Sequence, residues 1–594
     1  MKKFLALFLA CLFIVTAFAG CSSGDKKDNI KGAVVQTYFG NVPTSIDPAS
    51  VYTTTDVTKI MGLIFEGLTT IDENGKLQKA LAKDWECEVD ERDGLLKLEI
   101  TLEDSRWSDG IILDADDFVY AWQRILSPSS DNANAALLYP VLNAKAVKEG
   151  LASINDLGVR AVSDKVIEIT FESEFTDYEY FLTRLASPAL VPLREDIVAR
   201  GEEWCLPTGS TWVSNGPFKV KLWKDSEFII ERNTYYRCVS DYESNKVDKV
   251  VKPHQFVNLY SEGKNADAQY LRFIDNKNAS EEFTPDNKSF YINLNGASQE
   301  TIQSVGKKAK TDVVPATYVM FFNPENELFS DARVRKALSL AIDRQALVNA
   351  APVELESATG FIPFGVSDKK EKDSFRKNGG DIISASANLD EAKSLLKQAG
   401  VSGGTIVIEC SNYRGFEKDM LELIASSWKN LGFKVDFSAL RANYIYNKAN
   451  GAVDFNQNDA DIICYDITSM STDAYSILTG FSGKFGGGFI DVTTGPDQSD
   501  VVYNVNYTGF IDSEYDALCE EFILENDSKN RSEKMHKAEE YLAEFMPVIP
   551  LFFENDVYVS AKLSNVNKDK FGRFDFTELK QSGFKKYLTP EEEE

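Results

Sequence analysis

The stretch LKLEITLEDSRWSDGIILDADDFVYAWQRI, residues 96–125, decides the fold class. Its first part alternates between apolar and polar side chains, and the apolar positions are Leu96, Leu98, Ile100 and Leu102. A period of two is typical of a half-buried β-strand. The pair Asp109-Gly110 then indicates a turn. The stretch therefore begins as a strand that covers a core with one face.

The second part of the same stretch predicts a helix. Asp114 has the side chain of an N-cap, and Asp116 and Asp117 follow in the first turn, where the helix dipole favours carboxylates. The apolar positions of this part recur at helical spacing and are Phe118, Ala121, Trp122 and Ile125. We expect a strand, a turn and a helix that build a small domain, with Trp107 and Trp122 in its core.

The composition excludes some classes of function. The chain has 594 residues, 64 Lys and Arg against 92 Asp and Glu, and a formal net charge of −28. Because nothing in so acidic a chain would neutralise phosphates, no nucleic-acid partner is expected. The two histidines, His254 and His536, lie far apart, so a metal site is not expected either. A chain of this length needs two or three domains.

The N-terminus predicts export and anchoring. The basic pair Lys2-Lys3 precedes the apolar run Phe4–Ala19. That run is shorter than the about 20 residues of a spanning helix and fits a secretory signal. It leads to Phe-Ala-Gly-Cys21, which resembles a bacterial lipobox. The resemblance implies a signal peptide over residues 1–20, diacylglycerol on Cys21 and a polar tether over residues 21–30. The alternative is a plain cleaved signal that ends near a cysteine.

The remaining cysteines are scattered through the mature chain. They are Cys87, Cys205, Cys238, Cys410, Cys464 and Cys519. No C-x-x-C pair and no dense disulfide framework is present in the sequence. Buried free thiols and a single disulfide both remain open.

Several segments resemble one protein family in chain order. They are residues 44–85, residues 96–125, Ser214-Asn215-Gly216-Pro217-Phe218, residues 317–346 and residues 537–553. They are similar to motifs of the family 5 extracellular solute-binding proteins, the oligopeptide- and dipeptide-binding group of ABC importers. The resemblance runs from about Thr44 to Tyr558 and fades between residues 241 and 311.

The segment TYVMFFNPENELFSDARVRKALSLAIDRQA, residues 317–346, predicts a strand followed by a helix. Arg333, Arg335 and Asp343 occupy polar positions of that helix and indicate a solvated or salt-bridged face. Further along, a β-α-β alternation across residues 389–437 favours an α/β domain with helices packed on a sheet.

The resemblance also implies the domain organisation. The expected fold is α/β and periplasmic-binding-protein-like, with two lobes, a hinge and an extra small domain (class II, cluster C). Lobe I would comprise residues 31–61, 190–310 and 548–594. The small domain would comprise residues 62–189, and lobe II residues 311–547.

The ligand site is expected mainly in the run DIICYDITSMSTDAYSIL, residues 461–478. In the resembled family, an aspartate of the corresponding run binds the free amino terminus of a peptide through charge-assisted hydrogen bonds. Asp466 is favoured narrowly over Asp473 for that role. Cys464 would point to the same side as Asp466 on a strand. The run lacks the family's tryptophan and its Asp-Pro pair, and a polar loop with solvated carboxylates is the alternative.

Three further residues are candidates for the same cleft. Thr54 and Thr55 occupy the position where family members place ligand-facing backbone, although an ordinary polar loop is the plainer interpretation. Tyr139, just before Pro140, is a third candidate, with core packing as the alternative.

The implied function is capture of oligopeptides between the lobes and their delivery to the transmembrane subunits of an ABC importer. The protein would be a monomer, anchored by lipid on Cys21 at the extracytoplasmic face of the cell membrane. No cofactor is implied, and the sequence has no zincin, nucleophile-elbow or P-loop motif. The alternatives are another solute (an oligosaccharide, a metal complex or a signalling peptide), a secreted hydrolase, and a surface receptor that has kept the binding fold.

Overall fold

The computed structural model describes residues 32–49, 55–72, 75–130, 132–237, 247–260, 266–275, 289–370, 372–411, 415–437, 440–441, 460–487, 490–494, 500–504 and 506–582. Cys21, Thr54 and Cys238 lie outside the described residues.

The β-strands of these residues number twenty-four. In chain order they are β1 (Val34–Tyr38), β2 (Thr69–Ile71), β3 (Leu77–Lys79), β4 (Ala82–Val89), β5 (Leu96–Leu102), β6 (Val159–Ser163), β7 (Val166–Thr170), β8 (Phe218–Lys224), β9 (Glu227–Arg232), β10 (Gln255–Leu259), β11 (Phe290–Asn293), β12 (Lys310–Phe322), β13 (Glu356–Ser357), β14 (Gly404–Ser411), β15 (Phe433–Asp436), β16 (Leu440–Arg441), β17 (Ile462–Thr468), β18 (Ile490–Thr494), β19 (Asp500–Asn504), β20 (Val548–Ala561), β21 (Leu563–Ser564), β22 (Asn567–Lys568), β23 (Phe574–Asp575) and β24 (Lys580–Gln581).

The α-helices are distributed along the whole described chain. They are α1 (Thr55–Ile64), α2 (Ala115–Leu126), α3 (Ala144–Lys148), α4 (Tyr178–Arg184), α5 (Glu195–Val198), α6 (Val247–Val250), α7 (Ala266–Asp275), α8 (Gln299–Val305), α9 (Ala332–Leu340), α10 (Arg344–Ala350), α11 (Phe375–Gly379), α12 (Leu389–Ala399), α13 (Glu417–Lys429), α14 (Tyr475–Thr479), α15 (Ser513–Ile523) and α16 (Ser528–Phe545). A short 3₁₀ helix, Ala133–Leu138, follows α2 and bears on the site.

One large mixed sheet runs through the molecule in the order β15-β14-β17-β12-β20-β11-β1-β10-β9-β8. Two further short strands pair with it off this path, β13 with β20 and β16 with β14. We call the end formed by β11, β1, β10, β9 and β8 lobe I. The end formed by β17, β14 and β15, with the helices α9 to α16, is lobe II. The expected α/β fold with two lobes is therefore confirmed.

Two long strands, β12 and β20, pair with each other and carry the sheet from one lobe to the other. Their register shifts between Val313 and Thr317, and Pro315 lies inside the shifted segment. Proline has no N–H to donate, so it interrupts the ladder there and is tolerated at such a bulge. The ladder between the two long strands is therefore interrupted at this segment.

The small domain is a separate antiparallel sheet in the order β4-β5-β7-β6, covered by α2. It contains the stretch 96–125, whose predicted strand and helix are both confirmed. Asp114 caps α2, and Asp117 accepts hydrogen bonds from the backbone N–H of Asp114 at 3.1 Å and from the indole N–H of Trp107 at 2.9 Å. Trp107 and Trp122 are buried, as predicted. One carboxylate thus ties the turn to the helix.

The Asn215-Gly216-Pro217-Phe218 turn joins this domain to lobe I. The buried amide of Asn215 accepts from the backbone N–H of Glu66 at 3.1 Å and donates to the Glu66 carbonyl at 2.8 Å. A Cβ at Gly216 would collide with the backbone of Ile64, the last residue of α1. The turn therefore needs glycine because a helix end packs directly on it.

The solvated face expected for the helix of residues 317–346 is wrong for Arg335. Its side chain is buried, and its guanidinium donates to the carbonyls of Phe545 at 2.7 Å and Met546 at 3.0 Å. These carbonyls stand at the C-terminus of α16, where a cation satisfies acceptors that the helix leaves open. A helix distant in sequence therefore buries a charge that local periodicity assigns to the surface.

A buried ion network lies where the two long strands pair. Asp556 on β20 and Asp312 on β12 are cross-strand partners, so two carboxylates face each other. Lys568 contacts both of them, at 2.7 Å for Asp312, and Lys59 of α1 contacts Asp556 at 2.8 Å. The hydroxyl of Tyr291 also donates to Asp556, at 3.1 Å. Burial acts to raise the pKa of Asp556, but the two lysines hold it below its ordinary value.

Candidate functional site

The candidate site lies at the boundary between lobe II and the rest of the molecule. Both aspartates proposed from the sequence lie on the lobe II side of it, Asp466 on β17 and Asp473 in the turn before α14. They are seven residues apart in sequence, yet their surroundings differ.

Asp466 is half-buried near the end of an otherwise mostly apolar strand. Its cross-strand partner is Tyr318 on β12, the strand that leads to lobe I. The ring of Tyr318 stacks on Phe552 with centroids 4.8 Å apart, and Phe416 follows at 5.8 Å from Phe552. A half-buried carboxylate can hold a cationic group through charge-assisted hydrogen bonds.

Cys464 lies two residues before Asp466, and alternation puts both side chains on one face of β17. Its cross-strand partner is Met320, and both side chains are buried. The neighbouring thiol of Cys410 is 3.2 Å from the hydroxyl of Tyr318. The side chain of Cys464 is therefore part of the buried core next to Asp466.

Asp473 is buried and engaged by the small domain. Its Oδ2 accepts a hydrogen bond of 2.5 Å from the hydroxyl of Tyr180 on α4. Its Oδ1 accepts from the backbone N–H of Tyr475 at 3.2 Å. A cavity of about 120 Å³ opens beside it, and Arg531 of α16 is also in its lining.

Two arginines accompany this carboxylate. Arg184 of α4 is fully buried, with its guanidinium 3.8 Å from the ring centroid of Tyr475 and 4.5 Å from that of Tyr180. The guanidinium of Arg531 lies 3.5 Å from the ring centroid of Tyr180. Burial raises the pKa of Tyr475 to about 12 against the opposing charge of Arg184, so this phenol stays a hydrogen-bond donor at neutral pH.

The other candidates lie in different places. Tyr139 is buried at the end of the 3₁₀ helix Ala133–Leu138, and the hydroxyl of Tyr475 donates to the carbonyl of Ala136 in that helix at 2.8 Å. Thr55 begins α1. The structure thus brings Tyr139 and Asp473 to the same interface and puts Asp466 and Cys464 together on a strand.

Sequence reasoning missed Tyr180, Arg184 and Arg531. Tyr180 and Arg184 are spaced four residues apart, which indicates only that they share a helix face. Arg531 comes from a helix more than three hundred residues away in the chain. The only local signal was the presence of an arginine and aromatic residues on a short helix.

Some other kinds of site receive no support. Among the described residues, no group of three or more His, Cys, Asp and Glu side chains could hold a metal ion. The five cysteines placed by the structure are free thiols, and they are Cys87, Cys205, Cys410, Cys464 and Cys519. None of the helices in the ranges given above is long and apolar enough to cross a membrane.

The sequence profile of the bacterial extracellular solute-binding proteins, family 5 Middle, matches residues 76–489 of this chain. The chain belongs to this family. As a family 5 solute-binding protein, it is the extracytoplasmic substrate-binding component of a transport system rather than a member of an enzyme family.

Relatives of this solute-binding protein match almost its full length. The dipeptide-binding protein DppE of Bacillus subtilis (strain 168) is 27% identical, over 94% of this chain and 95% of its own. The oligopeptide-binding protein OppA of the same organism is 26% identical, over 94% and 96%. The probable deoxycholate-binding periplasmic protein YgiS of Escherichia coli (strain K12) is 27% identical, over 86% of each chain.

Solved structures share the fold of this solute-binding protein. Listeria monocytogenes OppA bound to peptide aligns with a TM-score of 0.69 at 21% identity, over 93% of this chain and 99% of the other. The unliganded open form of the murein tripeptide-binding protein MppA aligns with a TM-score of 0.53 at 21% identity, over 93% and 99%.

Proposed function

We propose that this solute-binding protein captures peptides between its lobes and delivers them to the transmembrane subunits of an ABC importer. The observation that carries the proposal is the match of nearly the whole chain to relatives named for dipeptide and oligopeptide binding. Closure would rotate the lobes about the segment of β12 and β20 where the register shifts. We also propose that residues 62–189 form the small domain and that residues 311–547 form lobe II.

We assign the ammonium group of the peptide to Asp466. It is half-buried on β17, and its cross-strand partner is Tyr318 of the strand that leads to lobe I. Asp473, which is buried and accepts the hydroxyl of Tyr180, is the alternative. Thr54 and Thr55 stay uncharged candidates for the same cleft. Cys464 and Tyr139, which are also candidates, are buried.

The first experiment measures whether peptides bind. The melting temperature of the purified protein should rise with a mixture of synthetic di- to hexapeptides, and mass spectrometry after mild denaturation should identify co-purified peptide. No shift with any peptide length would exclude peptides as ligands and leave the conclusion on the fold unaffected.

The relative named for deoxycholate binding favours a second candidate, a non-peptide solute, which the same mass spectrum would reveal. Intact peptides after long incubation would speak against the hydrolase alternative.

Replacing Asp466 with asparagine should weaken binding of peptides with a free amino terminus by about tenfold or more, because a charge-assisted hydrogen bond is lost. The same peptides with an acetylated amino terminus should bind wild type and D466N equally. Isothermal titration calorimetry of both peptide forms measures the difference. Equal losses for both forms would show that Asp466 does not meet the ammonium group.

We further propose that lipid on Cys21 anchors the protein, as a monomer, to the extracytoplasmic face of the cell membrane. In cells, Cys21→Ser should move the protein from the membrane fraction to the soluble fraction and abolish labelling by a palmitate analogue. A C21S protein that stays in the membrane fraction would contradict the anchor. Full release of the wild-type protein by mild washing would point to the plain cleaved signal instead.

A further inference from the structure

A second cavity, of about 450 Å³, lies away from the boundary of lobe II. Its walls come from the C-terminal end of α1, the hairpin of β2 and β3, and the hairpin of β22 and β23. All of its described lining residues lie outside residues 311–547, so this cavity does not depend on how far the lobes are closed. Its volume is typical of pockets that hold small solutes.

Arg573, which lies just before β23, places a buried cation in the wall of this cavity. The residue is 6% exposed, its Nε donates to Oδ2 of Asp569 at 2.5 Å, and its guanidinium lies 5.1 Å from the ring centroid of Phe571. Among the described residues, only the Nε of this guanidinium finds an acceptor, and neither of its Nη groups does. A guanidinium that is held by two neighbours and keeps both Nη groups available has the geometry to bind a carboxylate through two parallel hydrogen bonds.

Asp575 adds a negative charge to the same wall. It follows Arg573 by two residues, and alternation along an extended chain puts both side chains on one side, roughly 7 Å apart at their Cα atoms. Phe574, between them, points to the opposite side, where its ring packs on Phe39 with centroids 4.8 Å apart. Asp575 is exposed, and its Oδ1 accepts from the hydroxyl of Thr577 at 2.7 Å, which is a neutral donor. No side chain of the described residues therefore neutralises this carboxylate.

The wall formed by β2 and β3 is polar and also carries both signs of charge. Asp72 accepts from the side-chain amide of Gln78 at 3.0 Å, and Lys79 pairs with Asp84 at 2.9 Å. Thr70 lies beside them in the lining. Such a mixed lining disfavours a polyanion and suits a ligand that itself carries both signs, because complementary charges on the two surfaces give specificity.

We propose that this cavity binds a free amino acid, or a zwitterion of the same class, at a site separate from the cleft between the lobes. The guanidinium of Arg573 holds the carboxylate of the ligand, and the carboxylate of Asp575 holds its ammonium group. One hydrogen bond at each end of an α-amino acid spans the distance between these two residues. The ligand side chain then points towards Thr70 and Gln78. This inference does not rest on the peptide assignment of the interlobe cleft.

Two substitutions test the site, each with a matched control. Arg573→Lys keeps the charge but loses the planar fork, and Arg232→Lys changes an arginine of similar burial, 8% exposed, whose guanidinium donates to carbonyls of lobe I. Asp575→Asn removes the exposed carboxylate, and Glu578→Gln changes an exposed carboxylate nearby that does not line the cavity. Circular dichroism melts show that each variant is folded, and D575N decides the question if R573K is not.

Saturation-transfer NMR titrations give the deciding result. The standard free amino acids are screened against the wild type, and the tightest of them is titrated beside its analogue without the amino group. The Kd of the amino acid should rise about tenfold in R573K and about fivefold in D575N, and should not change in R232K or E578Q. The analogue should bind the wild type more weakly than the amino acid and should not distinguish D575N from E578Q. Absence of binding by every amino acid, or equal Kd values for D575N and E578Q, would overturn the proposal.

A competition experiment separates this site from the interlobe cleft. Synthetic hexapeptides with an amidated carboxyl terminus have no carboxylate at that end for Arg573, so they should leave the amino acid bound. The amino acid should also bind D466N and wild type equally. Displacement of the amino acid by these peptides would overturn the separate site. Failure of the wild type to bind any peptide would sink the peptide assignment, while the contrast between D575N and E578Q would still decide on this cavity.

Discussion

Replacing Asp556 with asparagine should lower the free energy of unfolding by about 3–5 kcal/mol, because the change removes a fully buried carboxylate that pairs with two buried lysines. Asp556 is fully buried and lies between Lys59, whose side chain is 3% exposed, and Lys568, whose side chain is 9% exposed. Lys568 also contacts a second carboxylate, that of Asp312. Urea denaturation followed by circular dichroism at neutral pH measures the loss.

Asp312→Asn is the matched control for this prediction. Asp312 contacts the same lysine from the partner strand, but its side chain is 41% exposed. Removing a partly exposed partner should cost no more than about 1 kcal/mol, since Lys568 keeps Asp556. Equal losses in the two variants would mean that burial of the network does not govern its contribution.

The pH dependence of this difference has a defined sign. The folded-state pKa of Asp556 is lowered, so its carboxylate contributes stability that is fully present above the ordinary pKa of an aspartate. That contribution is lost as the pH falls from about 4 towards the folded-state pKa. The gap in unfolding free energy between wild type and D556N should therefore narrow on acidification, and a gap that widened would contradict the assignment.

Glu539→Ala should destabilise lobe II by a similar amount, about 3–5 kcal/mol, for a related reason. Oε1 of Glu539 on α16 accepts from Nη1 of Arg376 at 2.5 Å and from the backbone N–H groups of Phe361 and Ile362, both at 2.9 Å. The side chains of Arg376 and Glu539 are each 1% exposed. The alanine variant would leave Nη1 of the buried Arg376 and two buried backbone N–H groups without this acceptor.

Two neighbouring variants sharpen this test. Glu540→Ala changes the next, exposed residue of the same helix and should stay within about 0.5 kcal/mol of wild type in urea denaturation. Glu539→Gln keeps an acceptor oxygen but loses the charge, so its loss should fall between the two. If E539Q were as stable as wild type, the charge of the pair would contribute nothing.

The same contact explains a glycine in the chain. A Cβ at Gly360 would collide with the guanidinium of Arg376, which reaches past this residue to Glu539. Taken alone, the sequence Gly360-Phe361-Ile362-Pro363 predicts only a loop between two elements. In the folded protein, the missing side chain of Gly360 lets the Arg376–Glu539 ion pair pack directly on the backbone.

Much of the fold was predictable because it depends on local pattern. The alternation from Leu96 to Leu102 and the capped helix after Asp114 each specify a face and an end within a few residues. Such patterns do not depend on how the rest of the chain is arranged, since they specify which side chains are buried. The burial of Trp107 and Trp122 followed from the same pattern.

The candidate site was predictable only in part. The run of residues 461–478 was found by resemblance, and both aspartates do lie at the boundary of lobe II. The burial of Asp473 depends on the hydroxyl of Tyr180, which donates to it from 293 residues away in the chain. No spacing within the run encodes that contact.

The sequence by itself determined the strand, turn and helix of residues 96–125 and the α/β class, because hydrophobic periodicity and capping act over a few neighbouring residues. The family was indicated by the resemblance of several motifs in chain order. Only the tertiary structure decided which charges are buried and what they meet. Arg335 lies under the end of α16, Asp556 lies between two lysines, and Asp473 lies against α4. A buried charge is stabilised by partners that the chain topology brings together, and topology is a property of the whole molecule.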